Sequence, residues 1–255
     1  MPGLWTFTIR TVEIRHAVGA EGARSAQGIV VVVDVLRAFT LSAYALAGGA
    51  RECLLVRTVD DARMLGAETE GSVLSAEVDT LPVEGVAISN SPTQIGLVDV
   101  RGRAVVQRTS AGTQAINAVR SSVAVYAASL VVAKATAQAC RSRRGRLVTL
   151  VRSADFPEDD ACCRYIESML QGKPARIDKL LEPLLASERY RRFAAGDWPG
   201  FPASDLELAL QTDRFEFAMP AVRRQNHVRL VREDLGSVDR RPDSSSRRRV
   251  TRRTT

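Results

Sequence analysis

IVVVVDVLRA, residues 29–38, holds five consecutive β-branched residues that run into Asp34 and then, three residues on, Arg37. An Ile/Val run without polar alternation suits a strand covered on both faces, the usual situation in a parallel sheet with helices on either side. Ligands of such sheets bind beyond the carboxyl ends of the strands. An aspartate delivered there can hold a metal ion or attack an electrophile, and an arginine can fork onto a phosphate or carboxylate. The same two residues also have a plain structural reading, in which Asp34 caps the next helix and Arg37 forms an ion pair with a neighbour.

Outward from this strand the chain alternates strand and helix. Residues 5–14 pattern as a half-exposed edge strand, and the Gly- and Ala-containing segment to Gly28 reads as a loop. Further strands are predicted at 52–56, 72–76, 104–107, 123–127 and 147–151, with helices at 40–47, 58–69, 113–120, 129–142 and 158–171. Thr58 with Asp61 makes a capping box, and Ser204 with Glu207 repeats the pattern before the helical spacing of LELALQTDRF. The βαβα rhythm predicts an α/β fold, a mostly parallel or mixed sheet with helices on both faces. At 255 residues this is one large region or two subdomains, spanning 1–239.

Composition narrows the function classes. Hydrophobic residues at 45% and charged residues at 25% are ordinary for a soluble globular protein. No apolar stretch is long enough for a bilayer, and MPGLWTFTIR lacks a basic region followed by an apolar core, so neither a membrane span nor a secretory signal is expected. Cys53, Cys140, Cys162 and Cys163 have no zinc-type spacing, and the only histidines are His16 and His227. A zinc site is therefore not expected, and a reduced, cytoplasmic setting is. Cys162 and Cys163 read as small core residues rather than nucleophiles.

The net charge of +7 points toward nucleic acid, but its location points away. Residues 240–255 hold seven Arg and one Asp, or +6, which leaves +1 for residues 1–239. That tail, RRPDSSSRRRVTRRTT, has almost no apolar residues and is expected to be disordered and solvated. A nucleic-acid partner is thus not expected, while a homo-oligomer is compatible with the sequence.

Polar loops at the strand ends are where chemistry should collect. In AVVQRTSAGT the strand gives way to Arg108, Thr109, Ser110, Gly112 and Thr113 before a helix, a composition suited to anion binding by backbone N–H groups or, more plainly, to capping. In LVTLVRSADFPEDDACC the strand is followed by Arg152, Ser153 and Asp155, then Glu158, Asp159 and Asp160. Acidic residues in a first helical turn stabilise the helix, and clustered carboxylates beside an anion site also hold magnesium. Residues 77–92 form a Gly- and Pro-punctuated loop with Glu77, Asp79, Glu84 and the turn-forming Asn90-Ser91-Pro92, suited to a lid or ligand wall. Asp213 and Arg214 read as a cap or an ion pair.

These segments in their order resemble the 2-phosphosulfolactate phosphatase (ComB) family. The matching pieces are VVVDVLRAFT at 31–40, SAEVD where the family tends to have Gly-Gly-Glu-Arg, SNSP at 89–92, RTSAGT at 108–113, EDDACC at 158–163 and DLELALQTDRFEFAMP at 205–220. The resemblance implies a magnesium-dependent phosphatase acting on phosphate esters of 2-hydroxycarboxylic acids, its partner a small phosphorylated 2-hydroxy acid. It implies site positions at Asp34, Arg37, Glu77, Asn90, Ser91, Thr109, Ser110, Gly112, Thr113, Glu158 and Asp159. From their chemistry, Asp34, Arg37 and Glu77 are the expected catalytic set, and Asp34 is the candidate nucleophile if an acyl phosphate forms. Mg2+ is expected on Asp34, Glu77, Glu158 and Asp159. Arg37 and the 109–113 loop are expected on the phosphoryl oxygens, with Arg108 and Arg152 as cations for the second acid group. This chain departs from the family pattern at Val78, where an Arg is usual, at Ser89, where a Gly is usual, and at VRSAD, which replaces a Cys-Ala-Gly-like stretch. The alternative is therefore a degenerate relative that binds a phosphorylated metabolite or partner without turnover.

Overall fold

The computed structural model describes residues 12–143, 145–173 and 175–235. The basic tail and all but the end of the strand expected at 5–14 lie outside the described residues. The chain opens with β1 (Glu13–Val18), α1 (Gly19–Ser25), β2 (Ile29–Val33), α2 (Ala38–Ala47), β3 (Glu52–Val56), α3 (Val59–Glu68) and β4 (Val73–Val78). It continues through β5 (Leu81–Pro82), α4 (Pro92–Ile95), β6 (Ala104–Arg108), α5 (Gly112–Ala118), β7 (Ala124–Ala128), α6 (Ala133–Ser142), β8 (Leu147–Arg152) and α7 (Pro157–Leu170). Four short helices follow, α8 (Ile177–Leu180), α9 (Glu182–Leu185), α10 (Glu188–Ala195) and α11 (Ala203–Ala209), and then β9 (Phe217–Arg223), β10 (Val228–Leu230) and β11 (Glu233–Asp234).

The strands form one mixed sheet in the order β1-β8-β2-β7-β9-β10-β3-β6-β4-β5, with β11 beside β9. β1, β8, β2 and β7 are mutually parallel, as are β3, β6 and β4. The β9–β10 hairpin is antiparallel to the set on either side of it, so the two parallel sets run in opposite directions. All five residues of β2 are buried. Their alternation explains this: Val30 and Val32 enter one core with α2 and α5, while Ile29, Val31 and Val33 enter another with α6 and α7. The predicted two-faced burial of β2 is thus realised.

The first core draws residues from both strand sets, among them Val32, Leu55 and Val105, around α2. This helix, AFTLSAYALA, is apolar on nearly every side and is buried except at Tyr44 and Ala47, as suits a helix with little solvent face. Burying Phe39, Leu41 and Leu46 contributes roughly 1.5–3 kcal/mol each. Its interior hydroxyls are satisfied locally: Thr40 Oγ1 donates to Val35 O at 2.6 Å, and Ser42 Oγ donates to Gln107 Oε1 at 2.7 Å.

Several local expectations need correction. β1 reaches Val18, and the segment expected to be a loop contains α1, whose buried Ala23 joins the first core. Tertiary packing of small residues there outweighs the weak helix propensity of glycine. The helix expected at 129–142 starts with a 3₁₀ turn at Leu130–Val132, and α6 is capped from a distance by Asp213 Oδ1, which accepts from Lys134 N at 2.8 Å. The Ser204/Glu207 capping box does not form. α11 starts from Pro202 without a side-chain cap, and Ser204 Oγ instead meets Thr93 Oγ1 at 2.8 Å. The Thr58/Asp61 box is present, and all four cysteines are buried free thiols. No helix of the described residues is long and apolar enough to cross a membrane.

Gln107 ties β6 to α2 and to the 89–92 turn, because Nε2 donates to Ala38 O and to Asn90 Oδ1, both at 2.9 Å. Gln107→Leu would strand Asn90 Oδ1 in a dry core and leave the Ser42 hydroxyl with only Ala38 O, at 3.2 Å. The variant is expected to lose about 2–4 kcal/mol of unfolding free energy, read from urea denaturation.

Candidate active site

The end of β2 is closed by neighbouring strands: Asp34 N donates to Ala128 O at 3.1 Å, and Ser153 N to Val33 O at 2.8 Å. Asp34 Oδ1 accepts from Ala38 N at 2.9 Å, so this carboxylate does cap α2. Its other oxygen, Oδ2, lies 3.0 Å from Ser153 Oγ, which is also 3.0 Å from Asp159 Oδ2. Asp159 is fixed through Oδ1, which accepts from Val35 N at 2.8 Å. A serine hydroxyl carries one proton, so it cannot donate to two ionised carboxylates. One of the pair must be protonated, or a cation must share the space.

Burial drives the same conclusion. Desolvation pushes the Asp34 carboxyl up to about 6, against the Ala38 amide and the Ser153 hydroxyl that favour its charged form, with the nearby charges of Glu77 and Glu158 raising it further. Desolvation also raises Asp159 well above the carboxylate range, and the charges of Asp34 and Glu158 add to this. Gly112 is required alongside: a Cβ there would lie 2.6 Å from Asp34 Oδ2 and 2.7 Å from Ala38 Cβ.

Arg37, 3% exposed, stands at the start of α2 and follows a cis Leu36–Arg37 peptide bond. Its Nη1 donates to Gly200 O at 2.7 Å and to Asp205 Oδ2 at 2.8 Å, so the plain ion-pair reading holds for this residue as well. Among the described residues, Nε and Nη2 have no protein acceptor. Burial pulls the guanidinium below its ordinary value, opposed by Asp205, Glu77 and Asp34. Asp205 Oδ1 accepts from Ser91 Oγ at 2.7 Å and from Thr93 N at 2.9 Å. Ser91 therefore serves as an anchor and as the cap of α4, and Asn90, at φ 52°, is held by Gln107.

The 109–113 loop is more occupied than an open anion cradle. Thr109 N donates to Thr113 Oγ1 at 2.9 Å, Thr113 N to Thr109 Oγ1 at 3.1 Å, and Ser110 N to Glu77 Oε1 at 2.6 Å. The amides of Ala111 and Gly112 remain without an acceptor among the described residues. Glu77 Oε2 accepts from Thr80 N at 2.6 Å, so both oxygens of this carboxylate organise the loops around it. Arg108 Nη1 donates to Glu77 O and lies 3.2 Å from Ser110 Oγ.

The structure does not gather the four expected metal-binding carboxylates into one ligand set. Among the described residues, no group of three or more His, Cys, Asp or Glu side chains is arranged to hold a metal ion. Asp34 and Asp159 meet at Ser153, Glu77 is taken by backbone amides, and Glu158 Oε1 accepts from Arg189 Nε at 2.8 Å. Among the described residues, Glu158 Oε2 is buried without a partner. Arg152 is bound to the carboxylates beside it, Asp155 at 2.8 Å and Asp160 at 3.3 Å, which answers its expected role as a substrate cation. Sequence reading missed Ser153, Arg189 and Asp205 as parts of the site. Asp205 opens the DLELALQTDRFEFAMP segment, but its distance of 168 residues from Arg37 hid the pairing. Two large surface cavities, about 1050 Å³ beside Arg51 and His227 and about 790 Å³ beside Lys134 and Glu233, lie elsewhere.

With its carboxyl raised to about 6 from an ordinary 3.8, Asp34 binds a proton more tightly in the folded state than in the unfolded one. Its contribution is fully present below pH 4 and is lost as pH rises through 6. In chelator, Asp34→Asn is expected to gain on the order of 3 kcal/mol over wild type above pH 7 and nothing below pH 4. Urea unfolding at the two pH values checks this.

Comparison with known proteins gives the chain's family. Residues 17–219 match the 2-phosphosulpholactate phosphatase family profile. A Bacillus subtilis (strain 168) protein named "Probable 2-phosphosulfolactate phosphatase" is 28% identical over 195 residues, 75% of this chain and 86% of that protein. Proteins of the same name from Caldicellulosiruptor saccharolyticus and Carboxydothermus hydrogenoformans are each 32% identical, over 108 and 144 residues. These alignments cover 42% and 55% of this chain and 45% and 60% of the relatives. The profile spans the carboxylate pair, the Arg37 clamp and the 109–113 loop together, and the chain belongs to the 2-phosphosulpholactate phosphatase family.

Proposed function

We propose that this chain is a magnesium-dependent phosphatase for phosphate esters of 2-hydroxycarboxylic acids of the 2-phosphosulfolactate kind. One observation carries the reading: Asp34 and Asp159, both buried, face one Ser153 hydroxyl that can satisfy only one of them. That deficit of positive charge suits a divalent cation, and magnesium is commonly held by one or two carboxylates with several waters retained. Asp34 and Asp159 would hold it, and Glu77 and Glu158 would orient the surrounding loops and helix. Bound magnesium supplies charge to offset the phosphoryl oxygens and lowers the pKa of a water.

The chain's own groups account for the remainder. Arg37 offers Nε and Nη2 to an oxyanion, and the Ala111 and Gly112 amides add two donors at the start of α5, where Gly112 packs against Asp34. Fixed donors in a site with little water act strongly on developing charge, which is most of what phosphoryl transfer requires. Arg108, half-buried beside Ser110, is better placed than Arg152 for the second acid group of the substrate. Asp34 governs turnover whether it holds the cation or attacks phosphorus to form an acyl phosphate.

The test is phosphate release from 2-phosphosulfolactate, phospholactate and phosphoglycolate, with magnesium and with chelator. Release is expected to need the metal and to fall by about 10³-fold or more in Asp34→Asn. Release indifferent to both would remove the mechanism. Saturable binding of the esters with no release would instead identify a degenerate binding protein.

A further inference from the structure

Residues 188–209, which comprise α10, α11 and the turn between them, supplied nothing to the expected site, yet they grip two of its charges. Arg37 Nη1 is held by Asp205 Oδ2 and Gly200 O, and the guanidinium carbon sits 4.0 Å from the centre of the Phe201 ring. Phe201 stacks on Phe193, with centroids 3.9 Å apart and planes 15° apart. Arg189 lies 4.6 Å over Phe193 while its Nε donates to Glu158. Arg37, Phe201, Phe193 and Arg189 thus form a column with an ion pair at each end.

The near end of that column is unusually constrained. The Arg37–Asp205 pair is almost solvent-free, with side chains 2% and 0% exposed. Asp205 cannot swing, because Ser91 Oγ and Thr93 N hold its other oxygen. Gly200 cannot shift inward either: a Cβ there would lie 2.6 Å from Pro82 Cγ and 2.7 Å from Ser89 Oγ, so the turn is seated hard against the 82–89 loop. Two acceptors on one nitrogen and a ring against the face fix the guanidinium plane. What remains is the Nε/Nη2 edge, one of the edges with which arginine forks onto two oxygens of a phosphate or carboxylate.

We propose that Asp205 and Phe201 are positioning residues that lock Arg37, so that its Nε/Nη2 edge is a preorganised fork for a substrate oxyanion. An unclamped arginine would lose side-chain freedom on each binding event, and the clamp removes that cost in advance. The proposal relies on the phosphatase reading only for the anion's identity, and inorganic phosphate serves as the probe.

Phosphate binding by the full chain is measured by calorimetry for wild type, Asp205→Asn, Phe201→Leu and Tyr44→Phe, alongside KM and kcat for phospholactate. Tyr44→Phe is the control for general loosening, since Tyr44 Oη donates to Leu208 O and bonds Gln211 Oε1 away from Arg37. Asp205→Asn and Phe201→Leu are expected to weaken phosphate binding about tenfold or more and to raise KM similarly, with kcat changed less than about threefold. Tyr44→Phe should change neither. Phe201→Leu keeps the hydrogen bonds and most of the apolar volume, so it decides the matter if Asp205→Asn does not fold. Wild-type phosphate affinity in folded positioning variants, an equal loss in Tyr44→Phe, or no phosphate binding by wild type would overturn the proposal. If wild type binds phosphate but hydrolyses no ester, the phosphatase reading falls while the affinity series still judges the clamp. Hydrolysis with unchanged affinity and KM in the variants removes only the clamp.

Discussion

A carboxylate taken out of water at the end of a fully buried strand is the constraint around which this protein is arranged. β2 has no exposed residue, so Asp34 emerges where solvent cannot stabilise its charge. An isolated buried carboxylate is costly, and a fold can retain one only by supplying hydrogen bonds or opposite charge. The Ala38 amide and the Ser153 hydroxyl provide the first, and Gly112 leaves the space that Oδ2 occupies. Each is set by a different element, α2, the β8–α7 connection and α5, which makes these three junctions interdependent.

Charge compensation across the site is uneven in a way that has chemical meaning. Arg37 answers Asp205, and Arg189 answers Glu158. Glu77 is answered by two backbone amides. Asp34 and Asp159 share one hydroxyl and have no paired cation among the described residues. Burial raises the carboxyls of Asp34 and Asp159, which lack a counter-charge, and also that of Glu158, where Arg189 opposes the shift. Arg37 shows the same division within one side chain, with Nη1 committed to structure and Nε and Nη2 left over.

A core shared across the strand reversal brings these parts together. β2 and β6 are five places apart in the sheet and belong to oppositely directed sets, yet Gly112, just past β6, packs against Asp34, just past β2. Residues of both sets share one core around α2 and α5. The sheet must therefore curve about these helices, and an apolar central helix such as α2 is what that curvature requires.

The chain's local patterns by themselves determined the two-faced burial of β2, the Thr58/Asp61 cap, the α/β class, and the strand-end positions of Asp34, Arg37, Arg108 and Arg152. These follow from residue period and capping chemistry, which act over a few residues. Both readings of Asp34 and Arg37, structural and chemical, were also visible there, and the cap on α2 uses one of the two Asp34 oxygens while the ion pair uses one of the three Arg37 nitrogens. Tertiary structure alone decided which carboxylates are left without a counter-charge. The Asp34–Ser153 contact spans 119 residues, Val35–Asp159 spans 124, and Arg37–Asp205 spans 168. A carboxylate's role depends on the partner that reaches its second oxygen and on the water removed from around it, and over such separations only the packed core sets both.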